Sequence, residues 1–261
     1  MTEADRTEGQ GEGTLLSHLV ELRTRLLKMA AAILVVFICL VPFADQIFTL
    51  TAEPLMARLP EGTSMIATQV ASPFLTPFKL ALAVAVFLAM PFLLYQAWAF
   101  VAPGLYKHER RLVVPLMASS IALFYSGVAF AYYIVFPLMF AFFTSVAPTG
   151  VTVMTDIAAY LDFVLALFFA FGFAFEVPVA TVLAVWAGFT TPGKLAAKRP
   201  YVLLSAFVLG MVLTPPDVIS QTLLAVPVYL LFEVGIIMAR YMVPGHREVE
   251  AQRTQDPKEG Q

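Results

Sequence analysis

The apolar residues of this chain fall into six long runs, and the segments between them are polar or rich in proline. Four of the runs reach or exceed the roughly 18 residues that mark a membrane-spanning helix. These four runs cover residues 29–48, 78–101, 114–143 and 161–189. Two shorter runs follow Pro200 and Asp217. The pattern predicts an all-α polytopic membrane protein with six transmembrane helices.

The last two predicted spans are unusually short. Only fourteen residues lie between Pro200 and Pro215, so a helix there is about 21 Å long, against a hydrocarbon thickness of about 30 Å. The sixth run begins after Asp217 and meets Glu233 after fifteen residues. We expect spans five and six to thin the bilayer locally or to lie in the concavity of a cupped bundle.

The same pattern divides the chain into segments. Residues 1–13 are acidic and glycine-rich and are predicted to be a disordered tail, like residues 242–261, so the membrane domain covers residues 14–241. Residues 44–77 form a polar interlude with a candidate interfacial helix at 54–59, and residues 146–160 form a second interlude. An amphipathic segment from Thr14 leads directly into the first span.

The distribution of positive charge predicts the orientation in the membrane. All lysines and arginines except Arg58 and Lys79 lie before the first span, after the second and fourth spans, or after the sixth. Because cytoplasmic loops carry an excess of these residues, both termini are predicted to be cytoplasmic. The composition agrees with a membrane protein, since 60 % of the residues are hydrophobic and 13 % are charged.

Other kinds of site find little support in the sequence. The three histidines are far apart and the single cysteine, Cys39, lies in an apolar run, so we predict no metal site and no disulfide. Residues 188–195 (GFTTPGKL) match seven positions of a phosphate-binding loop, but Leu195 replaces the magnesium-binding Ser or Thr. We therefore expect no nucleotide, no cofactor, no nucleic acid, no catalytic residues and no enzymatic activity.

Glu176 is the most informative residue, because it is the only charge in the apolar run from Phe163 to Phe189. A carboxylate in mid-membrane costs about 2.5–3.5 kcal/mol on insertion scales, so it should face protein or water. The small residues Gly172, Ala180 and Ala184 lie on the same helix face, and they allow another helix to come close. The pattern predicts an intramembrane polar site; alternatively, Glu176 only locks two helices together.

Two further acids lie on the predicted cytoplasmic face. Glu109 stands among basic residues between spans two and three, and Glu21 precedes the first span. Each has a simpler interpretation, namely neutralisation of its basic neighbours for Glu109 and an i,i+4 pair with Arg25 for Glu21. Two carboxylates on a basic face also suit a ligand with guanidinium groups, since arginine binds carboxylates through two donors.

Six segments of the chain together resemble one family, the TatC subunit of the twin-arginine protein translocase. They are residues 17–25 (SHLVELRTR), 71–74 (ASPF), 95–111 (YQAWAFVAPGLYKHERR), 175–178 (FEVP), 198–201 (KRPY) and 213–222 (LTPPDVISQT). The resemblance covers about residues 14–241, in order and without a large gap.

The resemblance implies a core receptor subunit of a protein-export system in the plasma (inner) membrane. It implies binding of twin-arginine signal peptides, partner subunits of the TatA and TatB types, other copies of the chain, and translocation of folded proteins driven by the proton-motive force. By the same resemblance, the signal-binding face holds Glu21, Arg23, Lys107 and Glu109, and Glu176 is the polar group in the cupped bundle. Partner subunits are expected to dock at Met211, Thr214 and Gln221.

The main alternative is a proton-coupled secondary transporter for small molecules that uses Glu176 as its proton carrier. Such a transporter would favour a second buried ionisable group and an internal repeat. The sequence offers no obvious charged partner for Glu176 and no repeat between its two three-span halves.

Overall fold

The computed structural model describes residues 3–56, 65–101, 113–145, 154–213 and 218–242, and in these ranges the chain contains helices but no β-strand. The helices are α1 (Glu3–Leu40), α2 (Ala44–Met56), α3 (Ser72–Val101), α4 (Val113–Phe130), α5 (Phe136–Ser145), α6 (Ile157–Ala174), α7 (Val177–Trp186), α8 (Pro192–Ala197), α9 (Arg199–Leu213) and α10 (Val218–Met242). Five candidate spans are long and apolar enough to cross a membrane, and α9 supplies a shorter apolar helix. The predicted all-α membrane architecture is confirmed.

Contacts divide the chain into two compact units. The first consists of Met1–Pro54 and Ala71–Met117, and the second of Leu55–Val70 and Ala118–Gln261. Helix α1 is assigned from Glu3, inside the segment predicted as a tail, and residues 243–261 lie outside the described part. The boundaries of the tails and the orientation of the termini stay predictions.

The first span continues further than predicted. A 3₁₀ turn, Val41–Phe43, follows α1, and α2 then extends to Met56, so the chain from residue 44 to 56 is helical rather than a polar interlude. Pro42 lies in the first positions of the 3₁₀ turn, where its missing N–H need not break a helical hydrogen bond. Half of the candidate interfacial helix at 54–59, residues 57–59, lies outside the described residues, and residues 54–56 belong to α2.

Helix α3 begins before the predicted start at residue 78. The amides of Phe74 and Leu75 both donate to the Ala71 carbonyl, so the helical bonding pattern starts at this point. The third span holds α4 and α5 with a π-helix, Ala131–Val135, between them. The π-helix directly precedes Phe136 and Pro137, and a wider turn suits a residue that cannot donate a backbone hydrogen bond.

The fourth span is interrupted at Glu176. Phe175 and Glu176 separate α6 from α7, and the Glu176 amide donates to the Phe173 carbonyl, three residues back rather than four. Pro178 lies in the first turn of α7, where the lack of an N–H is tolerated. The break between α6 and α7 therefore places the carboxylate at a helix junction.

The last two spans differ in length. Helix α9 has 15 residues, about 22 Å, which agrees with the predicted short fifth span. For the sixth span the structure corrects the predicted length, because α10 has 25 residues, about 37 Å, and passes through both Pro227 and Glu233. Glu233 lies inside this helix, as a good helix former can, and its carboxylate pairs with Arg199 at N···O distances of 2.6 and 2.8 Å.

Asp156 connects the start of α6 to the residues before α3. One carboxylate oxygen accepts from the amides of Ala158 and Ala159, at 2.9 and 3.0 Å, which caps the N-terminus of α6. The other accepts from the amide and the hydroxyl of Thr68, at 2.8 and 2.6 Å. These bonds, the Thr68 hydroxyl first, lower the pKa of Asp156 from 3.8 to about 2.

We expect Asp156→Ala to lower the stability of the protein near neutral pH, because four hydrogen bonds to one carboxylate are lost. Since the folded state lowers the pKa, the contribution is fully present above pH 3.8 and disappears as the pH falls through about 2. Thermal unfolding in detergent between pH 7 and pH 2 measures the difference between parent and variant. A difference that has vanished by pH 4 would contradict this account.

Candidate functional site

Glu176 makes a hydrogen bond to a buried serine on the neighbouring span. Ser120 lies on α4, and its hydroxyl donates to Oε2 of Glu176. The other carboxylate oxygen, Oε1, is buried and has no hydrogen-bond partner among the described residues. The acid therefore faces protein, as predicted, and keeps one acceptor without a partner from the described part of the chain. Ser120 was not among the predicted site residues, although two adjacent serines, 119 and 120, inside an apolar run indicate a polar position of this kind.

Two glycines allow the helices that carry this pair to approach closely. A Cβ atom on Gly127 of α4 would lie 2.3 Å from the Phe171 carbonyl oxygen of α6. A Cβ atom on Gly172 of α6 would lie 2.6 Å from the Phe124 ring of α4. Only part of the predicted small-residue face packs against another helix: Gly172 is buried against α4, whereas Ala180 is exposed. Close packing of α4 and α6 positions Ser120 beside Glu176.

Glu21 forms the predicted i,i+4 pair with Arg25 on α1. Both Nε and Nη2 of Arg25 donate to the same carboxylate oxygen, Oε1 of Glu21, at 3.0 and 2.6 Å. No described residue donates to Oε2 of Glu21, and the side chain is 37 % exposed. One oxygen of Glu21 is therefore held in place while the other is open to a further donor.

Arg25 also connects α1 to the last turn of α3. Its Nη1 donates to Oε1 of Gln96 and its Nη2 to the carbonyl of Ala99, both at 3.1 Å. Close by, the His18 ring stacks on the Phe100 ring, with centroids 4.2 Å apart. Gln96 and Arg25 were not among the predicted site residues, although an amide in an apolar run is a signal of the same kind as Glu176.

The structure does not bring all four predicted signal-binding residues together. Arg23 is exposed and lies about 200° around α1 from Glu21, so the two side chains leave the helix on different sides. Lys107 and Glu109 lie outside the described residues, between α3 and α4. For all four residues, Glu21 included, the assignment to a signal-binding site stays a prediction.

Two of the three predicted docking residues, Met211 on α9 and Gln221 on α10, are described by the structure. Met211 is 54 % exposed, and Gln221 lies opposite Gly210, whose added Cβ would be 3.4 Å from the Gln221 Cα. Thr214 lies outside the described residues. An apolar cavity of about 440 Å³ opens beside the same part of α10. Its lining includes Phe130, Ile134, Val135, Val218, Ile219 and Thr222.

The segment that resembles a phosphate-binding loop, residues 188–195, has a structural role here. Thr191 caps α8 by accepting from the Lys194 amide at 3.3 Å, and this segment follows a helix rather than the strand that a phosphate-binding loop requires. In the part of the chain that the structure describes, no three His, Cys, Asp or Glu residues lie close enough together to hold a metal ion.

The sequence of this chain is similar to those of known proteins over most of its length. Residues 17–227 match the family model described as Sec-independent protein translocase protein (TatC). The TatC protein of Escherichia coli (strain K12) is 60 % identical over 236 residues, which cover 90 % of this chain and 92 % of that protein. The TatC protein of Azotobacter chroococcum mcd 1 is 58 % identical over 246 residues, 94 % of this chain and 96 % of that protein.

A solved structure resembles this one over most of its length. The crystal structure of the twin arginine translocase receptor TatC superposes with a TM-score of 0.77 at 38 % identity, and it covers 86 % of this chain and 98 % of its own. A second crystal structure of that receptor, in the detergent DDM, gives a TM-score of 0.79 at 39 % identity. The family model, the relatives and the fold agree, and this chain belongs to the TatC family of Sec-independent protein translocase proteins.

Proposed function

We propose that this chain, a multi-pass membrane component of a Sec-independent protein translocase, is its receptor for signal peptides with two consecutive arginines. The receptor face consists of Glu21 on α1 and Glu109 in the segment between α3 and α4. The transporter alternative based on Glu176 is set aside, because similarity to protein translocases extends over nine-tenths of the chain.

The state of the Glu21 carboxylate supports this proposal most directly. Arg25 holds Oε1, and no described residue donates to Oε2, although the side chain is more than a third exposed. A guanidinium group from a peptide can donate to that oxygen with a charge-assisted hydrogen bond. Lysine carries a point charge without a planar fork, so it should bind less well at such a site. The role of Arg23, Lys107 and Glu109 rests on the resemblance to the family.

Features of α9 and α10 support the partner assignments that the resemblance implies. An exposed Met211 and an apolar cavity beside α10 suit a single apolar helix, which is the kind of partner that TatA and TatB subunits would supply. We assign Thr214 and Gln221 to the same surface. We further propose that several copies of the chain assemble in the inner membrane, with both termini cytoplasmic, and that the proton-motive force drives export of folded cargo.

Glu21→Ala should lower the affinity for a leader peptide with Arg-Arg about tenfold and change the affinity for a Lys-Lys peptide much less. The expected size is that of one hydrogen bond to a charged group, about 1.5 kcal/mol. Peptide binding to the purified protein in lipid nanodiscs measures both affinities. We expect a larger loss for Glu109→Ala, because no i,i+4 arginine competes for that acid.

A conservative variant and a remote one serve as controls. Glu21→Gln keeps the shape and one acceptor but not the charge, so its Arg-Arg affinity should lie between those of the parent and Glu21→Ala. Thr49→Val changes an exposed hydroxyl that bonds only to its own helix, at the Asp45 carbonyl, and should leave both affinities unchanged. If Glu21→Ala and Glu109→Ala each keep the parent's ratio of Arg-Arg to Lys-Lys affinity, neither acid recognises the arginines.

A further inference from the structure

Arg25 uses almost all of its donors within the protein. A guanidinium group has five N–H donors in a planar fork. Here Nε and Nη2 donate to Oε1 of Glu21, Nη2 also donates to the Ala99 carbonyl, and Nη1 donates to Oε1 of Gln96. Four of the five donor positions are therefore engaged, at three different acceptors. Such a group is held in one orientation and has little capacity left to bind a ligand.

The acceptors on α3 are in positions that favour a buried cation. The Ala99 carbonyl belongs to the last turn of α3, where backbone carbonyls lack helical partners and a positive charge is favourable. Gln96 is only 6 % exposed although it lies in a strongly apolar helix, so its amide needs an internal partner. Arg25 donates a hydrogen bond to each of these two acceptors, Oε1 of Gln96 and the Ala99 carbonyl, near the C-terminal end of α3.

The two sides of the guanidinium have different tasks. The side with Nε and Nη2 faces Glu21, and Nη1 is held by Gln96. Without the bond to Gln96, Nη1 loses its acceptor and the Ala99 carbonyl is the one remaining anchor among the described residues of α3, so the guanidinium and the Glu21 carboxylate bound to it can change direction together. Recognition of a second guanidinium depends on direction, because its N–H donors lie in one plane. A point-charge ammonium group is less sensitive to such a rotation.

We propose that Gln96 and Arg25 are positioning residues: they fix the direction of the open Glu21 oxygen and thereby set the preference of the receptor for arginine over lysine. The proposal rests on the receptor function proposed above. It assigns the preference to a three-residue network that joins α1 to α3, rather than to the charge of Glu21 alone. Neither Gln96 nor Arg25 is required to touch the peptide.

The test compares Gln96→Met with Gln96→Glu in the full-length protein in nanodiscs. Methionine keeps the length and flexibility of glutamine but removes the acceptor for Nη1. Glutamate keeps an oxygen at that position, on the side of the guanidinium away from Glu21. We expect the ratio of Arg-Arg to Lys-Lys affinity to fall about three- to tenfold in Gln96→Met, as for the loss of one hydrogen bond. The ratio should be preserved in Gln96→Glu.

The readout separates positioning from a general structural role. A merely destabilised protein would lose affinity for both peptides together, whereas loss of positioning lowers the Arg-Arg affinity and leaves the Lys-Lys affinity near the parent value. Thr24→Val is the matched control, because the Thr24 hydroxyl donates to the Val20 carbonyl of its own helix and is not hydrogen-bonded to Glu21. Its ratio should equal that of the parent.

The outcomes also separate this inference from the receptor function. If Glu21→Ala lowers the ratio but Gln96→Met does not, the receptor function stands and the positioning role is wrong. If neither Glu21→Ala nor Glu109→Ala changes the ratio, the receptor assignment itself fails. If the ratio of Arg-Arg to Lys-Lys affinity falls as far in Gln96→Glu as in Gln96→Met, the Oε1 acceptor is not what Gln96 contributes. The positioning role is then overturned as well.

Discussion

Glu176→Leu is expected to reduce export of folded twin-arginine cargo more than a hundredfold, while Glu176→Gln retains most of it. Glutamine can still accept the Ser120 hydroxyl at the break between α6 and α7, and it still presents a second polar group where Oε1 is buried without a partner from the described residues. Leucine has the size for the site but offers no acceptor. Because the contact that Glu176 makes with Ser120 is a hydrogen bond, we expect function to be lost with the polar group and not with the charge.

Export of a fluorescent reporter with a twin-arginine leader measures this effect, with the amount of variant protein in the membrane determined in parallel. Ser120→Ala provides the intermediate case, since it removes the donor to Oε2 and leaves the carboxylate in place. We expect Ser120→Ala to export several-fold less than the parent and clearly more than Glu176→Leu. Normal export by Glu176→Leu would mean that the acid has no role in translocation.

Gly127→Ala should destabilise the second compact unit by about 1–3 kcal/mol, the usual cost of overpacking a well-packed core. The new methyl group would lie 2.3 Å from the Phe171 carbonyl oxygen and 2.9 Å from its carbonyl carbon. These are backbone atoms, so no rotamer change relieves the clash, and α4 must move away from α6. Because Ser120 lies two helical turns before Gly127 on α4, that movement should also weaken the bond to Glu176.

Thermal unfolding in detergent and export of the same reporter provide the two readouts. Gly210→Ala is the matched control for stability, since its methyl group would meet the Gln221 Cα at 3.4 Å, an ordinary contact. Alanine also favours a helix more than glycine does, so Gly210→Ala should be neutral or slightly stabilising. A Gly127→Ala protein as stable as the parent would mean that α4 and α6 are not in close contact at this point.

The membrane architecture and the position of Glu176 could be predicted from sequence because both depend on local properties. A run of about 20 apolar residues spans a bilayer whatever surrounds it, and one charge inside such a run must be directed towards protein or water. The i,i+4 pair of Glu21 and Arg25 is equally local, because helical geometry alone brings these side chains together. The short α9 followed from the distance between two prolines.

Only the tertiary structure decided which groups complete these sites. Ser120 is 56 residues from Glu176, and Gln96 and Ala99 are 71 and 74 residues from Arg25, so no periodicity within one helix connects them. The partner of Glu233 was also decided between helices, since its carboxylate pairs with Arg199, 34 residues earlier. A polar group in an apolar run indicates that a hydrogen-bond partner exists, because burying the group without one costs free energy. The identity of the partner depends on which helices pack together, and that is a property of the folded chain.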